Sequence, residues 1–170
     1  MTDDLLKNQQ KEIQILVFQL AEHFFSFDMK DLSAVTRVLA ITPVARSADF
    51  FEGLINLRGR LTPVIDLRSL LMLPKKAHDA NTRLLALKGD GYQLCVLVDS
   101  VYSVIKADSS LLEEPPEILF SEYIKTVYKK NDKLILILNA HKLVDAEEVK
   151  SIIQARGKDK LIVTEEEVVS

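Results

Sequence analysis

The chain has 170 residues, 48% of them hydrophobic, enough to bury a core in one domain or in two small units packed together. A formal net charge of -3 and a pI near 5.7 leave it without the positive field that nucleic acid or an anionic membrane requires, so both drop out as partners. A charged fraction of 28% with only 5 glycines and 5 prolines excludes disorder across the body of the chain.

Residues 1–14 form a polar N-terminal segment, expected as a short helix or a frayed end. Asp3 and Asp4 stand where a signal peptide carries bases, and no apolar run approaches the roughly 20 residues that span a bilayer. This predicts a cytoplasmic protein without direct membrane insertion. Short β-rich runs then follow in order: "IQILVFQL", "FFSFDM", "AVTRVL", "GLINL", "LTPVIDL", "RLLALK", "YQLCVLVDSVYSVI", "YIKTVYK" and "KLILIL". Each has strand length and is rich in Val, Ile, Leu, Phe and Tyr, with turn chemistry between them: "LRGR" at Gly59, "KGDGY" at Lys88 to Tyr92, "KKNDK" at Lys129 to Lys133. Pro63 cannot donate to a ladder, so its strand is expected at an edge or with its amide side uncovered.

Three short helices are expected between and after these runs. One starts at Ser47 and ends at Gly53, one starts at Asp66 and stops before Pro74, and one starts at Asp145 and ends at Gly157. Residues 149–170 hold the end of that last helix and a tail. Cys95 lies inside "QLCVLVD" and reads as an inert core thiol.

The chain repeats itself. A shift of 73 lays Arg60–Leu70 over Lys133–Leu143, with Asp66 on Asn139 and Arg68 on His141. A shift of 69 lays His23, Phe25, Phe27, Leu32 and Val35 on Tyr92, Leu94, Val96, Val101 and Val104. Both keep the apolar phase, and the change of shift is a loop insertion. The expectation is a mainly β domain over residues 15–148, made of two intertwined units at about 15–75 and 82–145.

Reactive sets are hard to find. His23, His78 and His141 are each without a second ligand at helical or hairpin spacing, and there is no nucleophile elbow, P-loop or dinucleotide fingerprint. Paired acids at Asp3–Asp4, Glu113–Glu114, Glu147–Glu148 and Glu165–Glu167 read as solvated charge. Neither an enzyme, a metal nor a cofactor is implied. Arginine is unevenly placed instead: five of seven, Arg37, Arg46, Arg58, Arg60 and Arg68, precede Pro74, and no lysine lies between Lys30 and Lys75. The guanidinium fork suits interfaces; internal ion pairs with Asp49, Glu52 and Asp66 are the alternative.

The segment "ITPVARSADFFEGLINLRGRLTPVIDLRSLLMLP", Ile41 to Pro74, resembles the signature region of CheW-type chemotaxis coupling proteins. Gly53, Asn56, Leu57, Arg58, Gly59, Pro63, Val64, Asp66, Leu67 and Arg68 fill the fixed positions of that pattern. Two departures are visible, Ala34 where many relatives carry an acid and Thr126 where many carry glycine.

The resemblance implies two SH3-like five-stranded β-barrels packed together, with short helices and a C-terminal helix. It also implies a non-catalytic adaptor that joins chemoreceptor cytoplasmic tips to the regulatory domain of the histidine kinase CheA, itself CheW-like. By matching positions, Leu32, Val35, Gly53, Asn56, Arg58 and Gly59 fall in the receptor-binding region. Barrel surfaces near the loops of the first repeat would meet the kinase, through residues that the pattern does not specify. A CheW-like adaptor of twitching motility or another chemosensory pathway has the same features. A reading of a different class is a small-ligand-binding or enzymatic barrel that uses the cleft between the units.

Overall fold

The computed structural model describes residues 12–45, 48–117, 122–147 and 149–151. Among these residues eleven strands are formed: β1 (Glu12–Leu20), β2 (His23–Asp28), β3 (Leu32–Arg37), β4 (Phe51–Leu57), β5 (Arg60–Asp66), β6 (Arg83–Lys88), β7 (Gln93–Val98), β8 (Ser100–Asp108), β9 (Leu112–Glu113), β10 (Ile124–Lys130) and β11 (Lys133–Leu138). Two short α-helices follow β5 and β11, α1 (Leu67–Leu70) and α2 (Ala140–Asp145). All nine apolar runs of the sequence are strands, and the longest, Tyr92 to Ile105, is divided at Asp99 into β7 and β8.

The strands make two sheets, in the orders β3-β6-β7-β5-β4 and β8-β1-β2-β11-β10-β9. The five-stranded sheet takes β6 and β7 from the second repeat and three strands from the first, and the six-stranded sheet takes β1 and β2 from the first repeat and four strands from the second, so the repeats exchange their first hairpins. The pairing repeats residue by residue. Ser26 lies between Val17 of β1 and Ile137 of β11, and Cys95 lies between Ala86 of β6 and Val64 of β5, positions related by the same shifts of 69 and 73. The β-bulges repeat too, at Ser33 and Tyr102 on the outer strands β3 and β8, where a bulge disfavours edge-to-edge association.

Each sheet also returns on itself. The chain leaving β3 comes back to the far edge through Thr42, which exchanges backbone hydrogen bonds of 2.8 and 2.9 Å with Leu54 of β4. The chain leaving β8 comes back as β9 onto β10. We call these closed units the first and second barrel. Strand β1 is buried on both faces from Ile15 to Phe18, which explains its unbroken apolar run. Ile15 and Val17 fill the second barrel, while Leu16 and Phe18 join the core between the barrels with Phe27, Leu85, Leu87 and Val96.

Local expectations fail in three places. No helix forms over the described part of Ser47–Gly53; β4 begins at Phe51, and Phe50 and Phe51 pack on the inter-barrel core. A further helix, α2, forms at Ala140–Asp145 ahead of the one expected from Asp145, capped by Asn139, whose Oδ1 accepts the Lys142 N–H at 3.1 Å. The chain breaks at Ala146, and residues 147 and 149–151 are helical, as expected of the helix from Asp145; its expected end at Gly157 lies outside the described residues. Glu12 to Gln14 already belong to β1, and the rest of the N-terminal segment also lies outside.

Pro63 is placed by the second of its two alternatives. Strand β5 is internal to its sheet, but Pro63 pairs only with Leu54, and the ladder to β7 starts one residue later at Val64. The outer strand here is β4.

Candidate functional site

The hairpin between β4 and β5 turns on two residues, Arg58 and Gly59, with φ of 52° and 81°. Two successive positive φ values make the tight turn whose twist matches a β-hairpin. Asn56 supports it, its Oδ1 accepting the Gly59 N–H at 2.8 Å. Leu57 anchors the turn from below in the interior of the first barrel, while Asn56, Arg58, Gly59 and Arg60 are exposed. The sister hairpin of the second barrel turns on Asn131 and Asp132, with φ of 50° and 61°. Asn and Asp adopt this conformation more readily than other side chains, whereas arginine sits there at a cost of about 1 kcal/mol. The fold thus accepts asparagine at this corner, and the first barrel carries an exposed arginine instead.

Gly53 acts beneath that surface. It is buried with φ of 139°, and a Cβ there would stand 2.2 Å from the carbonyl oxygen of Thr42. The missing side chain is what lets the segment after β3 reach β4 and close the first barrel. At the equivalent Thr126, the returning strand β9 pairs with Val127 and Tyr128, and a side chain is accommodated.

On β3, Leu32 is buried in the inter-barrel core, whereas Val35 is 44% exposed. The equivalent Val104 on β8 is 50% exposed. The expected docking residues therefore divide into a surface set, Val35, Asn56, Arg58 and Gly59, and a buried pair, Leu32 and Gly53, that shapes the backbone beneath it.

Residues 14–148 match the model of the CheW-like domain family. The chain belongs to the CheW-like domain family. It is 30% identical over 146 residues to a chemotaxis protein CheW of Thermotoga maritima, covering 85% of this chain and 96% of that protein. A chemotaxis protein CheW of Bacillus subtilis is 27% identical over 143 residues, covering 82% and 92%. Among solved structures, the scaffolding protein TtCheW of Thermoanaerobacter tengcongensis superposes with a TM-score of 0.73 and 31% identity, covering 80% of this chain and 94% of that one. The chain is thus a CheW-type chemotaxis scaffold by family.

In this CheW-like chain the arginines of the signature region serve different ends. Arg68 is internal: its Nε and Nη2 donate to the two oxygens of Asp99 at 2.7 and 2.6 Å, and its Nη1 donates to the Pro74 carbonyl at 2.6 Å. Its partner is Asp99, not the nearby Asp66, which instead caps α1 by accepting the Arg68 N–H and the Ser69 hydroxyl at 3.0 Å each. Burial works to raise the Asp99 carboxyl, but hydrogen bonds from Arg68 and the Ala21 N–H outweigh it and hold the group below the usual carboxylate range. Among the described residues Arg37, Arg58 and Arg60 have no carboxylate within ion-pair distance, and Arg46 lies outside them.

The single thiol, Cys95, is fully buried in the first barrel and pushed up to about 12 by that burial, so it is inert. Among the described residues no three His, Cys, Asp or Glu side chains converge as a metal site, and no helix is long and apolar enough to cross a membrane.

Proposed function

We propose that this CheW-like chain is a cytoplasmic adaptor that couples chemoreceptor cytoplasmic tips to the histidine kinase CheA, holding both without catalysing a reaction. The observation that carries the reading is Arg58, an exposed arginine at a backbone angle that disfavours it, where the sister turn has Asn131. A costly residue at an exposed corner points to a partner that uses it. Val35 and Asn56 extend the receptor-facing surface, with Leu32, Gly53 and Gly59 setting the backbone that presents it. The CheW-like regulatory domain of the kinase then meets barrel surfaces near the loops of the first repeat. The interiors of both barrels are filled by side chains, which favours an outer-surface role over a ligand held inside.

The test is a titration of the full chain against a receptor cytoplasmic tip and, separately, the kinase regulatory domain. Both bind, and Arg58→Glu weakens the receptor complex by about 2 kcal/mol while leaving the kinase complex intact. Failure of the unaltered chain to bind either one sinks the proposal.

A further inference from the structure

The chain crosses between the sheets twice before the final hairpin, and a carboxylate marks each crossing. Asp99 is the single residue between β7 of the first barrel and β8 of the second. Asp31 ends the 3-10 turn Met29–Asp31, which leads from β2 of the second barrel to β3 of the first. Each carboxylate meets a side chain from the helix that closes the other hairpin: Arg68 on α1 for Asp99, His141 on α2 for Asp31. Arg68 and His141 are equivalent residues of the repeat, each two positions past its capping residue, Asp66 or Asn139.

The two junctions differ in strength. Arg68 and Asp99 form a two-pronged contact with side chains only 11% and 12% exposed. His141 Nε2 stands 3.4 Å from Asp31 Oδ1, with the histidine 74% exposed and the aspartate 14%. A largely buried carboxylate therefore faces an outlying imidazole, which pairs with it as an ion when protonated.

The helix that carries His141 is itself firmly seated. Leu143 and Val144 are buried, and the Tyr92 hydroxyl donates to the Val144 carbonyl at 3.3 Å. The turn that it reaches packs Met29 on the inter-barrel core and has few polar ties: Asp28 Oδ1 accepts the Lys30 N–H at 3.0 Å, and Lys88 Nζ on β6 donates to the Lys30 carbonyl at 3.2 Å. The Leu32 N–H bonds back to Met29, so the turn passes without a break into β3.

We infer that His141 is a positioning residue that holds the 3-10 turn through Asp31 and thereby seats the start of β3, the strand carrying Leu32 and Val35. The link to docking rests on the receptor-facing role proposed above for β3; the seating of the strand does not. A helix anchored in the core acts as the fixed side, and the imidazole sets where the turn and the first residues of β3 lie. Arg68 does the same at the other crossing through a stronger contact, which makes arginine the natural replacement at residue 141.

The experiment compares the full chain with His141→Ala and His141→Arg by native-state hydrogen exchange, alongside titration against a receptor tip and the kinase regulatory domain. His141→Ala speeds exchange at Leu32–Arg37 by roughly threefold, as expected for one partly exposed contact, with other strands unchanged. His141→Arg restores the slow exchange. Receptor binding follows the same order, while kinase binding does not change. Unchanged exchange in His141→Ala, an increase spread evenly over all strands, or failure of His141→Arg to restore it overturns the inference. If exchange behaves as stated but the receptor tip does not bind the unaltered chain, the positioning role stands and the receptor reading falls.

Discussion

Arg68 and Asp99 hold each other through two hydrogen bonds of 2.7 and 2.6 Å at the one residue where the chain steps from β7 to β8. Asp99 also accepts the Ala21 N–H at 2.8 Å, so the pair ties α1, the sheet crossing and the β1–β2 turn together. Removing the guanidinium leaves a largely buried carboxylate without its cation. Arg68→Ala is expected to cost roughly 3 kcal/mol. Urea unfolding measures it, and a double-mutant cycle with Asp99→Asn should return a strongly coupled pair.

The same pair sets an acid dependence. Asp99 is held below its ordinary range when folded, so its contribution is fully present above the unfolded-state value and is lost as pH falls through the folded one. Stability should therefore decline below about pH 4, with a shallower decline in Asp99→Asn. Thermal midpoints from pH 7 down to pH 2 follow both curves. Parallel curves would show that other carboxylates govern the acid limb.

Gly53 closes the first barrel by absence. Any side chain meets the Thr42 carbonyl at 2.2 Å, and its φ of 139° adds backbone strain. Gly53→Ala should cost roughly 3 kcal/mol and speed exchange of the Thr42 and Leu54 amides, which bond across the closure. Thr126→Gly, at the matching position of the second barrel, should cost less than about 1 kcal/mol.

The repeat was legible because both copies need the same alternation of apolar residues, and the pairings confirm it to the residue at Ser26 and Cys95. Local helix signals misled where a distant segment decides. Ser47 to Gly53 has the cap and glycine of a helix, yet the return of Thr42 to Leu54 and the burial of Phe51 make it a strand. The Asn139 cap of α2 was readable in its equivalence to Asp66, whereas Asp145 marks the separate helical stretch that follows Ala146. Asp99 could not be chosen as the partner of Arg68, since 31 residues separate them and only the sheet crossing brings them together. At the proposed docking surface, the exposed tip at Arg58 was readable from its turn. The exposure of Val35 was not, because the bulge at Ser33 breaks the alternation of β3.

Ser26 offers an internal check on that symmetry. Its hydroxyl is buried in the second barrel with no hydrogen-bond partner among the described residues, where the first barrel has Cys95. An orphaned hydroxyl weakens the fold, so Ser26→Cys and Ser26→Ala should each stabilise by about 1 kcal/mol. The reading is a higher urea midpoint at unchanged slope. A loss of stability in both would mean that the hydroxyl is satisfied in solution.

Arg58→Asn separates fold from docking. The sister turn holds Asn131 at φ of 50°, nearly the 52° of Arg58, so asparagine fits the backbone already there. Relieving an arginine of that conformation should raise stability by roughly 0.5 kcal/mol, while the Asn56–Gly59 hydrogen bond and the hairpin remain. Receptor-tip affinity should fall at least tenfold, which is about 1.4 kcal/mol for an arginine at the centre of an interface. Thermal denaturation and a binding titration on the same preparation give both numbers. A stabilised protein that no longer binds places the cost of Arg58 in its contact with the partner; a destabilised one that binds as before assigns the arginine to the barrel.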